Sequence, residues 1–262
     1  MLVEERRQRV LELVGSRGFI ALQDLAREIQ VSESTLRRDL EFWHQQGQLR
    51  RTHGGAIYLG DATPLPELEE RSSRQLEEKQ AVARTAAGRI KDGETVLLDG
   101  GTTTLEVARM LVGRPLQIVT NSLPIANLFA CRAETDLVFL GGFVYPRTGV
   151  ALGPPTVRMM QDLNVQQTIL SVGGLDARGL YNSNLLLVDC ERQMMRCAEE
   201  VVVVADHTKV GRSALAFLCE WAEIDTLILD PELTESQSAL LRATGVRVIL
   251  AGQPGQTEEF AE

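Results

Sequence analysis

From residue 93 onward the chain alternates short, nearly continuous apolar runs with helical patterns. No other feature constrains the fold as tightly. The runs are ETVLLD, LQIVTN, DLVFLGG, QTILSVGG, VVVVADHTK, DTLILD and VRVILAG. Between them lie TTLEVARML, PIANLFA, a helix near Val188 to Glu199, and a last helix before VRVILAG. Strands apolar on both sides need helices on both faces, so the pattern predicts an α/β domain with a largely parallel, buried sheet. In such a sheet the strand carboxyl ends share one rim, and ligands bind there where the strand order reverses.

The residues at the end of each run are therefore informative. Val96–Leu98 leads to Asp99, Gly100, Gly101, Thr102, Thr103 and Thr104, and Ile118–Thr120 leads to Asn121 and Ser122. Leu140 precedes Gly141 and Gly142; Val172 precedes Gly173 and Gly174, with Asp176 beyond; Ala205 precedes Asp206, His207, Thr208 and Lys209. The first turn carries the strongest signal. Two glycines let a ligand approach the backbone, and three threonines add hydroxyls to the free amides and positive dipole end of a helix, which makes an anion site suited to phosphate. No Gly-Lys-Ser/Thr comes after it, so it is not a Walker A loop, and no G-x-G-x-x-G dinucleotide turn is present. Lys209 reads either as a compact cation balancing the phosphate or as a surface lysine. Asp99, Asn121 and Asp176 suit the hydroxyls of a sugar or polyol, although Asp99 can equally cap the helix. His207 reads as a polar loop residue.

The N-terminal sixty residues have another character. Glu4 to Val14 predicts a first helix, ended near Gly15 and Gly18, and Ala21 to Ile29 a second, with Leu22, Leu25, Ala26 and Ile29 at amphipathic spacing. Ser32 is a suitable N-cap for a third, in which Leu36, Leu40 and Trp43 form one apolar stripe. Ser34, Arg38 and Gln45 fall opposite, with Arg37 on the flank. Gly47 is the expected end, and Arg50, Arg51, His53 and Gly54-Gly55 have the composition of a basic hairpin. Alone, that polar face reads as an ordinary solvated one. Two helices separated only by Gln30-Val31-Ser32, with a basic hairpin after them, instead make a winged helix-turn-helix, the geometry that a DNA groove and its phosphates require.

Charge supports this division. Residues 1–60 hold nine arginines and no lysine against eight acids, whereas the other 202 residues hold 18 bases against 28 acids. An acidic body cannot bind DNA broadly, so contact is confined to the N-terminal unit, whose arginines suit bidentate contacts with phosphate or guanine. Between the two, Gly60, Pro64 and Pro66 mark a boundary. A helix starting near Glu67 or Glu77 runs to Ile90, with Val82, Ala83, Ala86, Ala87 and Ile90 facing inward. The N-terminus lacks the apolar core of a signal peptide and no apolar run nears 18 residues, which predicts a cytoplasmic protein. Cys131, Cys190, Cys197 and Cys219 lack metal-ligand spacing and read as buried free thiols, and no metal or cofactor is expected.

VSESTLRRDL, then GQLRRTHGGA, resembles the N-terminal signature of the DeoR family of bacterial transcription regulators. The resemblance implies that Ser32 to Arg38 enter the major groove, and that Arg50, Arg51 and His53 lie on the wing near the backbone or minor groove. Ser34, Thr35, Arg37 and Arg38 are the groove-facing candidates. Arg37 can also be a phosphate clamp or the partner of Asp39 or Glu41, and Thr35 can be packing. Glu78-Lys79 matches the family's E-K before a helix. DGGTTT, TNS, LGG, VGGLD and ADHTK resemble its effector domain, which is similar in fold to ribose-5-phosphate isomerase and the coenzyme A transferases and typically binds a phosphorylated sugar. Two departures stand out. The family often has serine where Gly100 stands, and a glutamate and lysine where this chain has Asp189 and Glu191.

The expected organisation is a winged helix over 1–58, a linker over 59–78, an effector domain over 79–252 and a flexible tail over 253–262. The expected function is a DNA-binding regulator, by family habit a repressor of a carbohydrate operon, working as a homodimer or homotetramer under a phosphorylated sugar. The alternative is a sugar-phosphate isomerase-like enzyme with an accessory DNA-binding module, using Asp99, Asp176 or Asp206 as base.

Overall fold

The computed structural model describes residues 3–17, 19–46, 48–52, 54–58, 68–252 and 258–260. The chain divides into two compact units, Met1–Leu65 with Asn184–Leu186, and Pro66–Ser183 with Leu187–Glu262.

The first unit contains α1 (Val3–Arg17), β1 (Phe19–Ala21), α2 (Leu22–Ile29), α3 (Glu33–Gln45), β2 (Leu49–Thr52) and β3 (Gly55–Tyr58). One face of each helix closes a small core around Val10, Val14, Leu25, Leu36, Leu40 and Leu49, all at most 2% exposed. The α2–α3 turn is as short as the sequence predicts. Gln30 takes the left-handed conformation at φ 58°, and the Val31 amide closes back on Ala26 O at 3.3 Å, an αL helix ending. Ser32 then caps α3, its hydroxyl accepting from the Thr35 amide. β2 and β3 form the wing, as the basic hairpin composition predicts. Gly47, the expected helix end, lies outside the described residues; α3 itself stops at Gln45.

Two features of this unit go beyond the periodicity. The triplet β1 pairs with β3, Ala21 opposite Gly55, so α2 starts at Leu22, one residue later than expected. A side chain at Gly55 would sit 2.1 Å from the Ile20 carbonyl, so only glycine allows that approach. Asp39, on the buried side of α3, is held by Arg6 at 2.6 Å and Arg7 at 3.2 Å. Trp43 donates its indole N–H to the Arg7 carbonyl at 2.7 Å. Part of the arginine supply of this unit therefore holds α1 to α3.

The second unit opens with α4 (Leu68–Ser73) and α5 (Leu76–Arg89). Of the two expected starts, α5 takes the one near Glu77; α4 is a separate short helix before it, and Gln75, at a left-handed φ of 50°, divides the two. The central sheet uses β4 (Thr95–Leu98), β5 (Gln117–Thr120), β6 (Asp136–Phe139), β9 (Val165–Ser171), β12 (Ala198–Ala205), β14 (Thr226–Leu229), β15 (Arg247–Leu250) and β16 (Glu258–Phe260). Among the described residues it has eight strands in the order β16-β15-β14-β12-β9-β4-β5-β6. Every pairing is parallel except β15 with β16. Glu258–Phe260 thus form an edge strand where the polar composition predicts a frayed tail. The crossovers include α6 (Thr102–Leu111), α7 (Leu123–Phe129), α8 (Pro154–Met159), α9 (Leu185–Arg196) and α10 (Glu235–Arg242). Val82, Ala83, Ala86, Ala87 and Ile90 pack inward as expected, in one cluster with the sheet and α6.

The topology reverses at one place. From β4 the chain winds outward through β5 to β6, then returns to β9 on the other side of β4 and winds outward through β12, β14 and β15. The switch point is the rim between the carboxyl ends of β4 and β9. Two antiparallel additions are not legible from periodicity: the hairpin β7 (Phe143–Tyr145) with β8 (Val150–Leu152), and a small sheet of β10 (Gly174–Leu175), β11 (Leu180–Asn182) and β13 (Ala216–Cys219). α9 begins earlier than the expected Val188, with Asn184 Oδ1 accepting the Leu186 amide at 2.7 Å. Cys190, Cys197 and Cys219 are buried, but Cys131 is exposed, a correction to its reading as a buried thiol. Among the described residues no helix is long and apolar enough to cross a membrane.

Candidate functional site

The structure places the two groups of expected residues in different units, each with its own set of contacts. In the first unit Ser32, Ser34 and Thr35 join in one hydroxyl cluster, with Ser32 Oγ 2.9 Å from Ser34 Oγ and 3.0 Å from Thr35 Oγ1. Thr35 is half-buried while Ser32 and Ser34 are exposed. Arg37 is exposed and pairs along the helix with Glu33 at 3.4 Å. It does not pair with Asp39, which Arg6 and Arg7 occupy, nor with Glu41, which pairs with Arg51 of the wing. That Glu41–Arg51 pair ties β2 to α3. Arg38 is exposed on the solvent side of α3, one helical turn beyond Ser34. Arg50 is half-buried on β2 and Arg51 exposed. His53 lies outside the described residues. Leu22, Arg37, Leu40, Arg51, Thr52 and Gly55 line a shallow depression between helix and wing.

In the second unit Asp99 ends β4 at the switch point, buried to 3% exposure. It does not cap α6. Its Oδ2 accepts from Ser171, at 3.0 Å from Oγ and 3.3 Å from the amide, across to the end of β9. Burial raises its pKa, opposed by hydrogen bonds from Gly100 and Ser171 and by the Arg71 charge. The helix cap is Gly101, which has no side chain to offer. The first helical bond runs from the Leu105 amide to Gly101 O at 2.9 Å, so the amides of Thr102, Thr103 and Thr104 have no cap and the positive end of the dipole is open. The hydroxyls divide. Thr104 Oγ1 donates back to Gly101 O at 2.8 Å and is spent; those of Thr102 and Thr103 bond to no described residue.

The glycines have a different reason from the one expected. A Cβ on Gly100 would lie 1.7 Å from Val150 Cγ1, and one on Gly101 1.7 Å from Ser171 Oγ. Protein side chains, from β8 and β9, fill the space that the sequence pattern assigns to ligand. Gly142 likewise makes room for Thr156 Oγ1, 2.0 Å from its ideal Cβ, and Thr156 also donates to Gly141 O at 2.9 Å. Gly174 lies against the Arg212 carbonyl, 2.4 Å from its ideal Cβ. Asp176 is in the β10–β11 turn, its Oδ1 accepting from the Arg178 amide at 2.9 Å. Gly174 and Asp176 thus belong to the small antiparallel sheet and are not brought to the Asp99 turn. Asn121 is: β5 is the next strand to β4, with Leu98 opposite Thr120. It holds the β7–β8 arm over the rim, Nδ2 donating to Ala151 O at 2.9 Å, with Oδ1 buried and unpartnered.

Lys209 closes the short 3-10 turn after β12, whose cap is Asp206. Near it lie two cations absent from the expected set. Lys79 on α5 is 4% exposed and donates to Arg71 O at 2.5 Å and to Arg74 O. Burial lowers its pKa, with Asp206, Lys209, Arg71 and Glu106 all acting on it. Arg71 on α4 is half-buried, with Nη1 buried and unpartnered. Burial lowers its pKa too, opposed by Asp99 and Tyr145. A single arginine in a charged stretch gives no periodic signal, so sequence patterning passes over Arg71. His207, Asp230 and Glu232 come within 4.8 Å of one another, but the Asp230 carboxylate already accepts from the His207 amide at 2.6 Å and the Glu232 amide at 3.1 Å. It orders a turn.

Two family matches partition the chain as the geometry does: a DeoR-like helix-turn-helix domain over residues 6–61 and a DeoR C terminal sensor domain over residues 74–231. The chain belongs to the DeoR family. This DeoR-family chain is 31% identical over 253 residues to the putative aga operon transcriptional repressor of Escherichia coli O157:H7, covering 95% of this chain and 94% of that one. It is 34% identical to the transcriptional repressor AccR of Agrobacterium fabrum, covering 87% and 89%. To the glycerol-3-phosphate regulon repressor of Escherichia coli K12 it is 31% identical, covering 86% and 90%. Among solved structures, ribose 5-phosphate isomerase from Methanocaldococcus jannaschii overlays on 50% of this chain and 52% of that one, at TM-score 0.34 and 20% identity. A likeness that loose bears on no site residue.

Proposed function

We propose that this DeoR-family chain is a cytoplasmic repressor of a carbohydrate operon, released or engaged by a phosphorylated sugar bound at the β4–β9 switch point. One observation carries the sensing half: the uncapped start of α6 follows directly on Asp99, on which the Arg71 charge acts. Arg71 keeps an unpartnered Nη1, and Lys79 and Lys209 act on each other within reach of Asp206. A phosphate dianion would satisfy the free amides of Thr102 and Thr103 together with these cations. Asn121 and the Asp99 rim would take sugar hydroxyls. One relative, the glycerol-3-phosphate regulon repressor, is named for a phosphorylated metabolite, which agrees with that ligand class.

For the DNA half, Ser34, Arg37 and Arg38 would face the major groove, and Arg50, Arg51 and His53 would make the wing contacts. Two or more heads in a homodimer or homotetramer would read repeated half-sites. The sugar must bind two arrangements of the assembly unequally, since equal affinity shifts nothing. The test pairs a footprint on the chain's own upstream region with a thermal-shift screen of phosphorylated sugars. A footprint altered by one phosphosugar and not by its free sugar supports the reading. Turnover of ribose 5-phosphate by the purified protein would overturn it in favour of an enzyme.

A further inference from the structure

The phosphate reading leaves one cluster at the switch point unused. Glu191 on α9 is 1% exposed. Its Oε1 accepts from Asn182 Nδ2 at 2.5 Å, and its Oε2 is buried with no hydrogen-bond partner. The same Asn182 amide reaches the Ser171 carbonyl at 3.5 Å, and Ser171 in turn donates to Asp99. Four segments, the ends of β4, β9 and β11 and the middle of α9, thus meet in one polar run.

The groups facing Glu191 are Asp99 from the end of β4, Asn182 from β11, Cys219 from β13 and, on its own helix, Cys190. Burial pushes both thiols up to about 12, so they stay neutral. Burial and the Asp99 charge raise the Glu191 carboxyl well above the ordinary range, with only Asn182 acting against them. Independently, Asn121 beside Asp99 is 1% exposed and also leaves an oxygen, Oδ1, without a donor. Two buried oxygens flank Asp99 without a hydrogen-bond partner, and no cation is among the groups that act on Glu191. A sugar hydroxyl brings one donor and no charge; an ammonium brings three donors and a full charge.

We propose that Glu191 is a specificity-determining residue that takes an ammonium group of the effector, so that the switch point selects a phosphorylated amino sugar over its hydroxyl counterpart. This rests on the reading that a phosphosugar binds at the switch point. The phosphate lies toward Arg71 and the start of α6, and the amine toward Asp99, Asn121 and Glu191. Binding ionises Glu191, and its proton passes to the buffer.

Calorimetry on the full chain tests this with two matched pairs: glucosamine 6-phosphate against glucose 6-phosphate, and galactosamine 6-phosphate against galactose 6-phosphate. In at least one pair the amine should bind about tenfold or more tighter, the effect of a charge-assisted hydrogen bond in a buried site. Its heat should vary with buffer ionisation enthalpy as release of about one proton requires. Glu191→Gln should remove the preference and the proton release while the hexose phosphate still binds. Equal affinity within both pairs overturns the inference and leaves the phosphosugar reading standing. A preference that survives Glu191→Gln overturns it too. Should neither member of either pair bind, the inference is overturned, and the wider phosphosugar screen decides the proposed function separately. If Glu191→Gln does not fold, the wild-type pair comparison and its proton release still decide.

Discussion

The two units handle charge in opposite ways. The helix-turn-helix head keeps Arg37, Arg38 and Arg51 at the surface, where Arg37 and Arg51 rest on the partly exposed acids Glu33 and Glu41. Such pairs are worth little and exchange cheaply for phosphate. The sensor domain does the reverse. Asp99, Glu191 and Lys79 are each at most 4% exposed, and Arg71, Asn121 and Glu191 each retain a buried polar atom without a partner. An unpaired buried group is costly, and a ligand that supplies its partner recovers that cost. A polyanion can be read by exposed charge, whereas a small metabolite is distinguished by groups that stay unsatisfied until it arrives.

Asp39 is the exception that tests the comparison, because it is a buried charge in the head. Replacing Arg6 and Arg7 together with methionine strands it, and should cost about 3–5 kcal/mol. Urea unfolding would show the loss, and adding Asp39→Leu should recover most of it. Failure to recover would mean that the arginines act through packing, Arg7 over the Phe42 ring at 3.9 Å included. Arg38→Ala should leave stability alone but weaken operator binding by about 1–3 kcal/mol and relax discrimination at one base pair. Uniform weakening across sequences, read in a gel-shift series, would make Arg38 a phosphate contact.

On the sensor side, Gly101→Ala should cost about 1–3 kcal/mol, since the added methyl meets Ser171 and cores resist overpacking. Ser171→Gly in the same chain should restore most of that stability in urea unfolding. No rescue would place the strain in the backbone. The smallest effect concerns pH. The folded chain holds the Glu191 proton more tightly than the unfolded chain, so the wild type loses stability as pH rises toward the raised value. Glutamine does not titrate. The melting temperature of Glu191→Gln should therefore gain on the wild type as pH rises from about 5 to about 8. Parallel melting curves would show that Glu191 is less perturbed than its burial implies.

Much of the site is visible in the sequence as strand ends but not as contacts. The apolar runs place Asp99 and Asn121 on one rim, because parallel strands have no other way to end. They also place Gly174 and Asp176 there, and those two belong to a hairpin that antiparallel pairing diverts from the sheet. Ser171, at the end of an apolar run, carries no periodic signal, yet it is what Asp99 bonds and what Gly101 makes room for. Glu191 is legible only as a departure from a pattern.

Local physics in the chain was enough to fix the helix-turn-helix, the wing, the parallel sheet and the split of basic head from acidic body. Each comes from a period, a cap or a charge count that neighbours in sequence supply. The tertiary structure decided where the sheet reverses, that the paired glycines admit side chains from β8 and β9, that Lys79 and Glu191 are buried, and that Arg71 is half-buried with its Nη1 unpartnered. Those outcomes depend on which distant segments meet. Desolvation, which gives these groups their unmet polar demand, exists only once they have met.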